Sequence, residues 1–340
     1  MRIATFNVQN LRLRSRDGQY SLDGAFDRDA SELDRSSALE IADRIETAKV
    51  IAAAQADVVA LQEVFDLATL DFFCDCFLAP AGAASYDHRY CIKGNDGRGL
   101  NVAALSRREA KYVQSHARET GASLGLLDLS LDLRDHPIFR RDCLEIHLGS
   151  VTLFICHFKA PYPDPIKARA IRVVEAQAVR RIIEARFADP SRERWIILGD
   201  FNEPITNNSL HGSALDVLGD GFAFDLLDRL QPGQDWTFEV PDTRLHTRPD
   251  RILASPTLAQ DYPGARPQII RSGMKTMHSS SSEARASDHA LVFVDFPGLR
   301  IVELNAVANH PLPDSACLHA RVGGPAAMCV AQTDRIQDCF

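Results

Sequence analysis

With 340 residues, 45% of them apolar and 25% charged, the chain has the make-up of a globular protein with a sizeable core. Its formal charge of −8, from 38 basic against 46 acidic residues, argues against a chain-wide surface for polyanions. No segment is apolar for long enough to span a bilayer, and the opening residues read as a strand rather than a signal peptide, so a cytoplasmic setting is expected. The eight scattered cysteines are expected as free thiols.

In chain order, "RIATFNV" (2–8) is the first predicted strand. Residues 12–35, with Asp-Gly and arginine clusters, read as an exposed loop. Ala38, Ile41, Ile45, Ala48 and Ala52 recur at three- and four-residue steps and predict a helix before the strand "DVVALQEV" (57–64). "NVAALSR" (101–107), "CLEIHLG" (143–149) and "VTLFICHF" (151–158) read as strands, the last two joined by a hairpin. A helix follows Pro165, with Ile171, Val174, Ala178 and Ile182 on one face and a basic side read as solvated. Next come the strand "IILGD" (196–200), a helix near 209–218, and strands near 250–255, 266–271 and 290–296. This order predicts an α+β sandwich, two packed sheets with helices outside. "HSSSSEARAS" (278–287) reads as a loop at the rim of a site. From residue 298 the pattern fades, so residues 1–297 are expected to form the domain and 298–340 a C-terminal appendage of low order. Cys317, His319, Cys329 and Cys339 in that stretch have no common metal-site spacing.

Polar residues recur where apolar strands end or begin: Asn7, Glu63, His157, Asp200 with Asn202, Asp250, and Asp288 with His289. A core does not tolerate such groups there unless they pair with each other or with an ion. Glu63 and Asp288 are hard oxygen ligands suited to Mg2+ or Mn2+, and Asn7 and Asn202 add neutral oxygens and amide donors. Asp250 is a carboxylate able to orient an imidazole and favour its protonated form. An imidazolium beside a divalent cation suits a phosphoryl group. Asp200 and Asn202, two apart at a strand-like end, are expected to point to the same side.

The series "TFNVQNL", "LQEV", "HFKA", "GDFNEP", "DRILAS" and "SDHALV" resembles, in order, the motifs of the endonuclease/exonuclease/phosphatase superfamily, across residues 1 to 297. The resemblance implies a four-layer, DNase I-like α/β-sandwich and metal-dependent hydrolysis of a phosphoester, with Mg2+ as cofactor and Mn2+ as a substitute. It implies Glu63 as principal metal ligand with Asn7 nearby and Asp288 as a second metal-side carboxylate. Asp200 would orient or deprotonate the attacking water, and Asn202 would hold the phosphate or that water. His289, paired with Asp250, and His157 would contact phosphoryl oxygens. The "CHFKAPYP" stretch replaces a tyrosine-bearing motif of abasic endonucleases, and Gln9 stands where that branch has an acid. Both pull the reading toward the DNase I, sphingomyelinase and 5-phosphatase branches.

Lys159 resembles the lysine of "HLKS"-like motifs. Arg98 and Asn101, in "NDGRGLNVAAL" (95–105), are candidates for binding substrate, although the same stretch also reads as a glycine-rich turn. The expected substrate is a phosphoester, either a nucleic acid cut by a phosphodiesterase or a small phosphorylated metabolite or lipid head group. A phosphate-binding module without catalysis is disfavoured because every central polar position is present.

Overall fold

In the computed structural model, which describes residues 1–16, 18–25, 37–129, 131–204, 212–241, 243–276, 278–280 and 283–299, each sheet grows around one buried parallel pair of strands. The chain runs through β1 (Arg2–Leu11), β2 (Leu13–Arg16), β3 (Gln19–Leu22), α1 (Ser37–Ala54), β4 (Val58–Val64), α2 (Leu67–Phe73), β5 (His88–Cys91), β6 (Asn101–Ser106) and β7 (Tyr112–Ser115). It continues through α3 (Leu131–Asp135), β8 (Cys143–His147), β9 (Thr152–His157), α4 (Pro165–Arg186), β10 (Trp195–Asp200) and β11 (Phe224–Asp225). The last elements are β12 (Phe238–Val240), β13 (Leu245–Thr247), β14 (Asp250–Ala254), α5 (Pro256–Asp261), β15 (Gln268–Ile270) and β16 (Leu291–Asp295).

One six-stranded sheet has the order β15-β16-β1-β4-β6-β5 and the other β11-β14-β10-β9-β8-β7. Both are antiparallel except at β1–β4 and β9–β10. A parallel pair needs a long crossover, and α1 and α4 supply them. α4 starts sharply because Asp164 accepts from the backbone of Ile166 and Lys167 and Pro165 opens the first turn.

The central strands are apolar on both faces, and the period of two sorts their side chains into layers. Ile3, Val58, Ala60, Leu153, Ile155, Ile196, Leu198 and Ile252 fill the gap between the sheets. The alternate residues of the first sheet, Phe6, Val59 and Leu61, pack in the cluster shared with α1 and α2. Those of the second, Phe154, Cys156, Trp195 and Ile197, pack with α4. The result is the expected four-layer sandwich of two mixed sheets between helices. Each large aliphatic chain buried this way contributes about 1.5–3 kcal/mol.

Several elements differ from the sequence-based expectation. Within the stretch expected as an exposed loop, β2 and β3 pair, with Leu13 opposite Leu22 and Arg16 opposite Gln19, while residues 17 and 26–36 lie outside the described residues. Asp23 draws that segment in by pairing with Arg12 and Arg14. Of the helix expected near 209–218, the described part contains only a 3-10 turn at Asp216–Leu218, and 205–211 lie outside the described residues. The short strands β5, β7, β12 and β13 and the helix α2 were not foreseen, because three to seven residues are too few for a clear period. From residue 300 the expected appendage, with its cysteines and His319, lies outside the described residues. Cys74, Cys91, Cys143 and Cys156 are free thiols, whereas Cys76 is disulfide-bonded, contrary to expectation. No helix among the described residues is long and apolar enough to cross a membrane.

Candidate active site

The layering explains where the polar strand ends go. Asn7 continues the inward parity of Ile3, His157 that of Ile155, Asp200 that of Leu198, and Asp250 that of Ile252. All four therefore project into the mouth of the gap between the sheets. Within the second sheet Asp200 lies in register with His157 on one side and Asp250 on the other.

Glu63 breaks the parity. Its position alternates with Leu61 and would face α1, but the register shifts between Gln62 and Val64, and Glu63 itself takes φ 68°. This bulge re-aims the carboxylate toward the mouth. There Oε1 accepts from Asn7 Nδ2 (3.4 Å) and Oε2 from the backbone of Asn10 (3.0 Å).

Asp200 is the meeting point. It is 1% exposed. Its Oδ2 accepts from Asn7 Nδ2 and Asn202 Nδ2, each at 3.1 Å, and stands 3.4 Å from His157 Nε2 and 3.9 Å from His289 Nε2. Its Oδ1 accepts from the backbone of Asn202 at 2.8 Å. Asp200 and Asn202 come together, but not by strand alternation as expected. The strand stops at Asp200 and Asn202 turns left-handed (φ 51°), so a local side-chain turn replaces it. Gly199 closes this corner with φ 140°, where an added Cβ would lie 1.9 Å from the carbonyl oxygen of Cys156. Gly199→Ala is expected to lower stability by about 2–5 kcal/mol through strain and overpacking, read from denaturant unfolding. A change below 1 kcal/mol, on the order of an ordinary surface substitution, would count against this geometry.

His289 bonds Asp250 Oδ2 through Nδ1 at 2.8 Å, and the buried Thr237 hydroxyl donates to the same oxygen at 2.6 Å. Its Nε2 faces Asp200 and Asp288, 3.9 Å from each. Burial opposes a charge on this imidazole, but Asp250 and Asp200 outweigh it and raise its pKa well above the ordinary value. His157 behaves oppositely. Burial, then the nearby Arg141, His289 and Arg98, hold it well below the usual imidazole range, so it is neutral. Burial raises Asp200, His289 opposes the rise and Asp250 adds to it. Asp288 is raised by desolvation, partly offset by His289 and reinforced by Glu63.

The substrate-rim candidates differ among themselves. Arg98 is exposed and paired with Asp96 (3.4 Å), close enough for its charge to act on His157. Lys159 donates to the carbonyls of Ala160 and Tyr162. Asn101 is buried and committed to backbone: its amide donates to Phe65 and Gly99 and accepts from Gly94, so it fastens the turn it follows.

The family model for the Endonuclease/Exonuclease/phosphatase family matches residues 4–289. The chain belongs to that family. Its members hydrolyse phosphoester bonds, and this chain is a hydrolase of that kind. Similar folds include an AP endonuclease from Archaeoglobus fulgidus (16% identity, TM-score 0.54, covering 87% of this chain and 99% of that one). Another is the mannosyl-6-phosphatase Bt3783 of Bacteroides thetaiotaomicron VPI-5482 (17%, 0.51, 87% and 98%). A third is truncated Caenorhabditis elegans TDP2 (16%, 0.51, 86% and 95%). No curated protein matches the sequence.

In this member of the Endonuclease/Exonuclease/phosphatase family, several residues that shape the site escaped the sequence reading. Ser287 donates to the carbonyl of Asn7 (2.7 Å) and accepts from the backbone of His289 (3.1 Å), joining the two sides of the mouth. The helix α4, read as basic and solvated, turns Arg172 and Glu175 inward. Glu175 accepts from the backbone of Arg140 and Lys159, and burial pushes its carboxyl up to about 7. Arg172 pairs with Glu203 (2.8 Å) and donates to the carbonyl of Lys159 (3.1 Å). Their only sequence signal is a charged residue at a position that the helical face of Ile171, Val174 and Ala178 sweeps past.

Proposed function

We propose that the protein is a Mg2+-dependent phosphodiesterase in which Asp200 prepares water for in-line attack on phosphorus. The observation that carries this reading is the convergence of Asn7, Asn202, His157 and His289 on one oxygen of Asp200.

The residues present fit a hard divalent cation. The Glu63 carboxylate adds to the cost of ionising Asp288, and neither makes an ion pair with a lysine or arginine among the described residues. Asp200, Asp250 and His289 also hold ligand-capable atoms within 4.8 Å of one another. In that trio, however, one Asp250 oxygen is taken by His289 Nδ1 and the Thr237 hydroxyl, Asp200 Oδ2 by Asn7 and Asn202, and His289 is held toward its charged form, which offers no lone pair to a metal. Glu63, Asn7 and Asp288 are therefore the residues that would hold the ion. The chemistry such an ion supplies when bound is charge neutralisation at the phosphoryl and leaving oxygens.

The remaining work falls to side chains in hand. Asp200 Oδ2, held by two amide groups, orients water and accepts its proton. Protonated His289, anchored by Asp250 and Thr237, offers Nε2–H to a non-bridging oxygen; its 3.9 Å separation from both carboxylates is too long for a hydrogen bond to either. Neutral His157 adds a second donor without adding charge. Lys159 and Arg98 stand at the rim as substrate contacts.

Nucleic acid is the first substrate class to test. A small phosphorylated metabolite or lipid head group is the second reading, favoured by the net charge of −8 and by the engagement of Arg98 and Lys159 with protein partners. The similar folds carry names from both classes, an AP endonuclease and a mannosyl-6-phosphatase. A Mg2+ and Mn2+ activity panel decides: single- and double-stranded DNA and RNA against small diesters and monoesters, with Asp200→Ala as contamination control. Nucleolysis abolished in that variant supports the first reading. Turnover of monoesters alone supports the second and removes the first.

A further inference from the structure

We propose that Arg44, in α1, is a positioning residue for the metal side of the centre, holding the bend on which Asn7, Glu63 and Asp288 depend; the inference rests on the metal seat assigned above. Arg44 is fully buried. Its Nε donates to the carbonyl of Asp23 (2.6 Å), Nη1 to that of Val8 (2.8 Å), and Nη2 to those of Gln9 (2.7 Å) and Asn10 (3.0 Å). A guanidinium is expensive to bury, and its planar fork needs acceptors at fixed angles. Here three consecutive carbonyls of one bend meet that need.

The bend is one the chain resists. Gln9 and Asn10 take φ 48° and 51°, left-handed values that are unfavourable for a non-glycine residue. Pairing of β1 with β4 skips from Asn7 to Leu11 across it. The gain lies on the other side of the same residues. The backbone of Gln9 donates to Asn7 Oδ1 (3.0 Å), and that of Asn10 to Glu63 Oε2 (3.0 Å). Gln9 Oε1 accepts from the backbone of Asp288 (3.2 Å). So each of the three residues assigned to the ion has one hydrogen bond to this bend, while Arg44 holds its carbonyls from behind.

The neighbours of Arg44 on α1 extend the arrangement. Asp43 accepts from the backbone of Arg285 (2.8 Å) and of Ala25 (3.1 Å), and Thr47 donates to the carbonyl of Ala286 (2.8 Å). The same helix therefore also fastens the chain immediately before Ser287, Asp288 and His289. A lysine at 44 would keep the charge but not the fork, leaving carbonyls unmatched.

Calorimetric titration of the full chain with MnCl2 and, separately, MgCl2 tests this. Arg44→Lys is expected to bind either ion at least tenfold more weakly than the wild type, and adding Asn10→Gly is expected to recover most of that loss, because glycine adopts the left-handed bend without help. Should Arg44→Lys fail to fold, the Asn10 variants carry the test with Arg44 in place. Asn10→Val, whose branched side chain opposes positive φ, should weaken binding tenfold or more, and Asn10→Gly should stay within threefold of the wild type. A folded Arg44→Lys with wild-type affinity, or equal affinities for Asn10→Val and Asn10→Gly, overturns the proposal; lower metal-free melting alone would mark Arg44 as a packing residue. If the wild type itself bound neither ion, the metal seat would fall first and this inference with it.

Discussion

Asp200→Ala is expected to lower kcat about 10³- to 10⁴-fold while leaving the fold in place. The carboxylate accepts from both amides and has both imidazoles beside it, and the carboxylate in register with it, Asp250, is already engaged by His289 and Thr237. Stability responds differently from activity. Burial raises the pKa of Asp200, so the fold disfavours the charged form of this carboxyl. For a carboxyl raised on folding, that penalty is full above the folded pKa and vanishes as pH falls below the unfolded value. Removing the group lifts the penalty and leaves two side-chain amides and the backbone N–H of Asn202 without their acceptor, a balance expected within about 2 kcal/mol. Single-turnover kinetics and thermal unfolding of the same sample check both halves. Retention of a tenth of wild-type turnover would remove Asp200 from the role of base. Asp200→Asn is the less clean variant, since either amide orientation sets a donor against a donor.

His289→Asn should reduce kcat about 10²- to 10³-fold and change the shape of the pH profile. Asparagine can keep the hydrogen bond to Asp250 but carries neither the charge nor the Nε2–H. The folded pKa of His289 is raised, so the imidazolium persists above the ordinary histidine range. Its contribution to stability is complete below the unfolded value, about 6.5, and is lost as pH rises through the folded pKa. Activity that needs the charged form follows the same direction, so the alkaline loss of kcat/KM in the wild type should lie above that value and be missing in the variant. An unchanged alkaline limb in His289→Asn would assign that limb to another group and leave His289 without its proposed charge.

Both predictions depend on side chains whose types and strand-end positions were visible in the sequence. The runs "IATF", "LFIC" and "IILG" are apolar without alternation because each faces a core on both sides, and a polar residue ending such a run stands out. The two crossover helices were legible for a related reason, since a face packed on a sheet repeats every three or four residues. The buried polar residues of those helices were not. Arg44 lies between Ile41 and Ile45, Ala48 in the apolar stripe, and Glu175 beside Val174, and periodicity treats each as a residue turned to solvent. Asn101 misled in the opposite sense: an amide beside glycines resembles a ligand contact, yet its partners are three backbone groups.

The sequence by itself determined the layered α+β plan, the family, and the eight residues, from Asn7 to His289, that meet at the mouth between the sheets. Tertiary structure alone decided how they meet. Strand parity is a local property and can be read along a run, but Glu63 reaches the site only through a bulge, and Asn202 and the Gln9–Asn10 bend only through left-handed backbone. Such conformations are unfavourable for these residues in isolation. Hydrogen bonds from distant segments hold them, including Arg44 on three carbonyls and Phe158 on the Asn202 amide, and no stretch of sequence contains both partners.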